Sequence, residues 1–223
     1  MTQKMFTLTR SEHNPILSPT KDHPWEAAAA FNGCPVMKGK DMHLVYRAMS
    51  EPQLLKEPHI RMSVIACAKE MKEKRHFEDR KVLVKPDMPF DAFGCEDPRV
   101  TKLDGKYYIF YTGLGGYPFN ESNIRTAVAI SKDLETVTEK HQIAPFNSKG
   151  IAIFPEKING KIGMLITVNP DHPPDDICYA EFEKEEDMWS PDYWHEWMKN
   201  LDAHKIHIRR LRDDHLELGA ASP

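Results

Sequence analysis

The feature that most restricts the fold is a layout that recurs along the chain: an apolar run, a glycine turn, then a second apolar run. Val100-Thr101-Lys102-Leu103-Asp104-Gly105-Lys106-Tyr107-Tyr108-Ile109-Phe110-Tyr111-Thr112 reads as strand, Asp-Gly turn, strand. Asp-Gly and Asn-Gly supply the positive φ angles that a tight hairpin needs. Glu156 to Ile166 repeats the layout around Asn159-Gly160, Met37 to Tyr46 is an earlier copy, and Arg210 to Leu218 is a weaker later one. The turns lie about 55 to 65 residues apart, close to the period of propeller blades. Another strand-like segment follows each of the first three hairpins: Ser63 to Ala68, Thr126 to Ser131 and Ile177 to Phe182. Each unit is therefore a small antiparallel sheet. Such a sheet cannot bury both faces alone, so neighbours must stack around an axis.

Two segments fall outside the repeat. Met71 to Arg80 is charge-rich and reads as a solvated connection within a blade. Glu183 to Ala203 carries Trp189, Tyr193, Trp194 and Trp197 at the spacing of one helix face. That spacing predicts a core or inter-blade cluster in preference to an exposed aromatic platform.

The segment richest in reactive groups is Gly94-Cys95-Glu96-Asp97-Pro98-Arg99. Strand residues alternate faces, so Glu96 and Asp97 point apart unless the backbone bends. Gly94 and Pro98 allow a bend. Arg99 can hold a carboxylate ionised or bind an anion. The alternative is an Asp-Pro turn carrying a surface ion pair. Arg47 ends an otherwise apolar strand, where a charge is either functional or part of a blade-to-blade salt bridge. Gly113-Leu114-Gly115-Gly116 lacks the Lys-Ser/Thr of a phosphate loop. The spacing of His204, His207 and His215 fits no standard metal site, so no metal is expected.

Net charge is −4 with no basic stripe, which argues against a nucleic-acid partner. The N-terminus lacks the apolar core of a signal peptide, and no apolar run is long enough to span a bilayer. Cys34, Cys67, Cys95 and Cys178 include no Cys-x-x-Cys pair, which predicts reduced thiols and a cytoplasmic location.

Five ordered motifs together resemble glycoside hydrolase family 130, the inverting mannoside phosphorylases and related hydrolases. They are Asn14-Pro15-Ile16-Leu17 with Trp25-Glu26, Phe31-Asn32-Gly33-Cys34-Pro35-Val36, His43-Leu44-Val45-Tyr46-Arg47-Ala48, the Glu96-Asp97 hexapeptide, and Phe154-Pro155-Glu156-Lys157. The resemblance implies an all-β, five-bladed β-propeller. At the observed period five blades need about 300 residues. The expectation is thus one truncated β-propeller catalytic domain over residues 1–223, with about three to three and a half blades. An open propeller leaves strand edges unpaired, which predicts a homo-oligomer or a completing partner chain.

The resemblance further implies phosphorolysis of a β-mannoside in a mannose-containing oligosaccharide. Inorganic phosphate is the co-substrate, α-mannose 1-phosphate the product, and no cofactor is needed. Asp97 matches the proton donor. Arg125 and Lys157 match phosphate-binding cations. Asn32, Arg47 and Arg61 match sugar or phosphate contacts, and Glu96 either orients a sugar hydroxyl or pairs with Arg99. Val168-Asn169-Pro170 departs from the His-Arg that follows the corresponding strand in the family. The rivals are an inverting hydrolase on the same fold, which needs a second carboxylate as base, and a non-catalytic carbohydrate-binding or assembly fragment.

Overall fold

The computed structural model describes residues 7, 9–53, 59–73, 76–171 and 175–207. The hairpin expected at Arg210 to Leu218 lies outside them. Among the described residues, eleven strands form three antiparallel sheets stacked as blades. Blade 1 is β1 (Ala29–Lys38), β2 (Asp41–Gln53), β3 (Ile60–Met71) and β4 (His76–Val84), in that order. Blade 2 is β5 (Cys95–Leu103), β6 (Lys106–Leu114), β7 (Ile124–Ser131) and β8 (Val137–Gln142). Blade 3 is β9 (Ser148–Ile153), β10 (Ile162–Val168) and β11 (Asp176–Phe182). Two short helices follow, α1 (Pro191–Met198) and α2 (Leu201–His204).

The hairpin turns form where the sequence places them. Asp104 and Gly105 both have positive φ, as do Asn159 and Gly160. The third hairpin is longer than expected: β9 ends at Ile153, and beyond it the arms are tied by the Phe154 N–H to Gly163 carbonyl bond at 3.0 Å and the Ile158–Lys161 bridge. Met71 to Arg80 is mostly not a connection. Its second half enters β4, an outer strand whose charges protect an open edge.

Blade 2 shows why these runs stack. Along β6, Tyr107, Ile109 and Tyr111 pack with Val45, Ile65 and Cys67 of blade 1. Tyr108 and Phe110 alternate onto the other face and pack with Ile162, Met164 and Ile166 of blade 3. Both faces of the sheet are thus apolar, and each large side chain buried there contributes about 1.5–3 kcal/mol. Trp194 and Trp197 of α1 are buried in the second of these clusters, as the aromatic spacing predicts.

A polar brace recurs ahead of the inner strands. Pro24-Trp25-Glu26 and Pro89-Phe90-Asp91 each form one 3-10 turn that buries its carboxylate completely. Glu26 accepts from Tyr46 Oη at 2.7 Å and pairs with Arg80 at 2.9 Å. Asp91 accepts from Tyr111 Oη at 2.8 Å and pairs with Lys140 at 2.5 Å. In both blades the phenol comes from the second strand and the cation from the fourth. Burial, reinforced by the neighbouring carboxylate, holds both phenols protonated far above their ordinary range. Blade 3 opens with Pro145-Phe146-Asn147, and by register Ile166 stands where the other blades have tyrosine. The acid and its phenol are absent there together, which avoids an unpaired buried charge.

Candidate active site

The three inner strands share one irregularity at one height. In β1 the register slips between Phe31, opposite Arg47, and Cys34, opposite Val45. In β5 it slips between Glu96, opposite Thr112, and Arg99, opposite Phe110. In β9 it slips between Lys149, opposite Thr167, and Ala152, opposite Leu165. Each slip is a bulge with one residue in the left-handed region: Asn32 at φ 50°, Asp97 at φ 52° and Gly150 at φ 54°. Asn, Asp and Gly are the residues that tolerate this region best. A bulge bends its strand and re-aims a side chain. Here it breaks the alternation that would send Glu96 and Asp97 to opposite faces.

As a result both carboxylates meet the same guanidinium. Arg47 Nη2 bonds Glu96 Oε1, and Arg47 Nη1 lies 3.3 Å from Asp97 Oδ1. Arg47 Nε donates to Ser63 Oγ at 3.0 Å, and Phe31 stacks under the guanidinium at 4.8 Å. Asn32 Nδ2 donates to Asp97 Oδ1 at 2.6 Å. Asn32, Arg47, Glu96 and Asp97 therefore form one cluster across the interface of blades 1 and 2. Arg47 makes the blade-to-blade salt bridge, and in doing so it enters the candidate site.

The two carboxylates differ in environment. Glu96 is mostly buried, and burial raises its pKa; Arg47 opposes the rise, while Asp97 adds to it. Asp97 is more open, with a side chain 42% exposed against 20% for Glu96. Its Oδ1 is held by two donors, and the carboxylate remains accessible from the solvent side. Arg99 does not reach either carboxylate and donates instead to the Pro98 carbonyl. The partner of Glu96 is Arg47, from another blade.

The remaining expected residues divide. Arg61 lies on β3 two positions from Ser63, so the two share a face. It is exposed and has no ion-pair partner among the described residues. Arg125, the second residue of β7, lies opposite Gly113, which lies opposite Cys95, so its backbone is at the same end of blade 2, ~10 Å from that of Cys95. One of its Nη atoms is bonded to the carbonyls of Glu121 and Ile124. Lys157 is not brought to the carboxylates. Its Nζ lies 2.9 Å from Asp104, at the opposite end of β5, roughly 25 Å along the strand from Glu96. The cause is the hairpin geometry: residues 154–157 lie past the end of β9, beside the β5–β6 turn.

Sequence reasoning missed Lys149. It stands at the register position of Glu96, and its charge acts on Glu96. Asp171 holds it at 3.0 Å and also accepts from Asn147 at 2.7 Å. Aligning the three inner strands on their bulges finds it, whereas the Phe154-Pro155-Glu156-Lys157 motif points one strand length away. Among the described residues no group of three or more His, Cys, Asp or Glu is placed to hold a metal, and no helix is long and apolar enough to cross a membrane.

The sequence matches the family profile described as beta-1,4-mannooligosaccharide phosphorylase over residues 7–199. The chain belongs to glycoside hydrolase family 130. It is 38% identical over 174 residues to a beta-1,2-mannobiose phosphorylase of Thermoanaerobacter sp. strain X514, covering 75% of this chain and 56% of that protein. It is 33% identical over 168 residues to a 1,2-beta-oligomannan phosphorylase of the same organism, covering 75% of this chain and 55% of the relative. The chain thus spans about half the length of the curated relatives it matches. Among solved structures, the Listeria innocua beta-1,2-mannobiose phosphorylase in complex with beta-1,2-mannobiose superposes with TM-score 0.64 at 23% identity, over 78% of this chain and 62% of that one. A family 130 structure titled for glycoside hydrolases that target beta-1,2 mannosidic linkages in Candida mannan superposes with TM-score 0.62 at 22% identity, over 78% of this chain and 55% of that one. These family 130 neighbours are five-bladed propellers, and the described residues supply three blades of that plan.

Proposed function

We propose that this chain carries the acid-bearing half of a β-mannoside phosphorylase site, with Asp97 as the proton donor. The observation that carries the reading is the placement of Asp97: a left-handed bulge aims it into the cluster, and Asn32 and Arg47 fix one oxygen. An acid in inverting cleavage must stand still on one side of the glycosidic oxygen while the nucleophile attacks from the other. Asn32, Arg47 and Glu96 then position the sugar. Glu96 accepts hydroxyl donors when ionised and is a donor itself when its raised pKa leaves it protonated.

Phosphate is the proposed nucleophile because further cations share the end of the blades that holds the carboxylates, and one of them, Lys149, acts on Glu96. Arg61, Arg125 and Lys149 lie at the same end of the blades, with Lys149 in the phosphate-binding role that the family resemblance implies for Lys157. Phosphate already carries the negative charge that attacks the anomeric carbon, so it needs cations and no second carboxylate base. The balanced step transfers the mannosyl unit to a phosphate oxygen with inversion, giving α-mannose 1-phosphate. The leaving sugar oxygen takes the proton that Asp97 supplies. Mannose-containing oligosaccharide and inorganic phosphate are the proposed partners.

The test is phosphorolysis of β-1,2- and β-1,4-mannobiose, read by phosphorus NMR as phosphate-dependent sugar phosphate. Asp97→Asn keeps the shape and removes proton donation, and a loss of about 10²- to 10⁴-fold is expected. Mannose release independent of phosphate refutes phosphorolysis, and an unimpaired Asn variant refutes the acid.

A further inference from the structure

The β6–β7 loop, residues 115–123, rises from the site end of blade 2. It carries Tyr117 and Phe119, which are 48% and 41% exposed. Few large apolar side chains are so exposed among the described residues, and neither ring belongs to a core cluster. The rings meet edge to face with centroids 5.3 Å apart.

The mount under them is stiff. Asn120 and Asn123 each donate a side-chain amide to the Pro118 carbonyl, at 3.0 and 2.7 Å. Asn123 Oδ1 accepts from Asn120 N at 3.1 Å, and Gly115 N donates to the Asn123 carbonyl at 2.8 Å. Arg125 ties the Glu121 carbonyl to the start of β7 at 2.6 Å. At the root, glycines let the loop press on the turn that feeds Glu96. A Cβ on Gly113 would stand 2.7 Å from the Phe90 carbonyl oxygen, and one on Gly115 3.1 Å from that of Pro89. Two exposed rings, paired edge to face, are thus held by polar bonds that serve no apolar core.

We propose that Tyr117 and Phe119 form an outer sugar platform, which takes a pyranose of a β-mannoside chain beyond the two units flanking the cleaved bond. This rests on the proposed function above. A β-mannoside ring has an apolar C–H face and a hydroxyl rim. A rigid aromatic covers the face at little entropic cost, and the hydroxyls stay in water. Position agrees. The loop root at Leu114 is ~7 Å along β6 from Thr112, the residue opposite Glu96, and Tyr117 lies three residues further. The rings thus stand outside the Asp97 cluster but at the same end of blade 2, where later units of a chain held on Asp97 would meet them.

The experiment is calorimetric titration of the full chain with mannobiose and mannotetraose, in both β-1,2 and β-1,4 linkage. The expected result is about tenfold tighter binding of one tetrasaccharide than of its disaccharide. Tyr117→Ala with Phe119→Ala should erase that gain and leave the disaccharide within about twofold, whereas Tyr117→Phe should retain it. Circular dichroism and sedimentation check that the variant keeps its fold and assembly state. Equal binding of short and long chains by the unmodified protein overturns the platform. So does a gain that survives in the double alanine variant, or a variant that alters only self-association, which makes the rings a protein contact. Binding of no mannoside overturns the proposed function itself, and the platform with it.

Discussion

Asp91→Asn tests the buried brace that carries the candidate site. The carboxylate is fully buried. Its Oδ1 accepts from the backbone N–H of Asp87 at 3.0 Å and of Met88 at 2.8 Å. Its Oδ2 accepts from Tyr111 Oη at 2.8 Å and Cys95 Sγ at 3.7 Å, and lies 2.5 Å from Lys140 Nζ. Every neighbour is a donor, so an asparagine amide in either orientation sets a donor against donors. Lys140, whose side chain is only 9% exposed, keeps Asp87 and the Lys85 carbonyl but loses its buried counter-charge. Removing one partner of a buried pair costs about 3–5 kcal/mol, a large share of the about 5–15 kcal/mol available to a domain. Tyr111→Phe removes one donor and leaves the charge paired, so about 1 kcal/mol is expected. Asp91→Asn combined with Lys140→Met should recover part of the loss, because the stranded ammonium is gone. The assay is urea unfolding followed by tryptophan fluorescence and far-ultraviolet circular dichroism, with coincident transitions required before a free energy is extracted. Glu196→Gln, at an exposed pair with Lys199, is the control and should leave the midpoint in place. A loss below about 1 kcal/mol in Asp91→Asn would refute the reasoning.

Two further outcomes follow from the geometry. Lys149→Met should raise the phosphate concentration needed for phosphorolysis about tenfold or more, as expected for a lost charge-assisted contact, while Lys157→Met leaves it unchanged; the reverse result, in a phosphate titration of initial rates, restores Lys157 to the site. Burial alone would lower the Lys140 pKa, but its bonds to Asp87 and Asp91 outweigh this and raise it. Its stabilising contribution is then fully present below the ordinary lysine value of about 10.4 and is lost as pH rises through the folded value. Unfolding midpoints should fall at alkaline pH, less steeply in Lys140→Met, and an identical slope in the variant sinks the assignment.

The sequence discloses what is encoded in adjacent residues. Asp104-Gly105 and Asn159-Gly160 are local turn chemistry, and the apolar runs of β6 and β10 need no tertiary knowledge to be read as strands. The outer strands β4 and β8 escape because charged, half-exposed edges look like loops. Asn32, Arg47, Glu96 and Asp97 were legible one by one, but their convergence depends on bulges that no residue announces. Asp97 is an ordinary Asp-Pro acid until its φ of 52° is known. Lys157 lies about one strand length from the cluster, because the third hairpin is longer than the other two. Glu26 and Asp91 share a Pro-aromatic-acid pattern, yet the phenol and the cation that complete each brace lie far along the chain.

The matching bulges have a consequence for how such a surface changes its chemistry. They act as three sockets of one shape, arranged about an axis and filled differently: an amide at Asn32, an acid at Asp97, bare backbone at Gly150. Left-handed φ restricts what each socket readily takes to asparagine, aspartate or glycine. That short alphabet contains a neutral hydrogen-bonding group, a proton carrier and a vacancy. Swapping letters between sockets would turn the reactive direction around the axis without redesigning a strand.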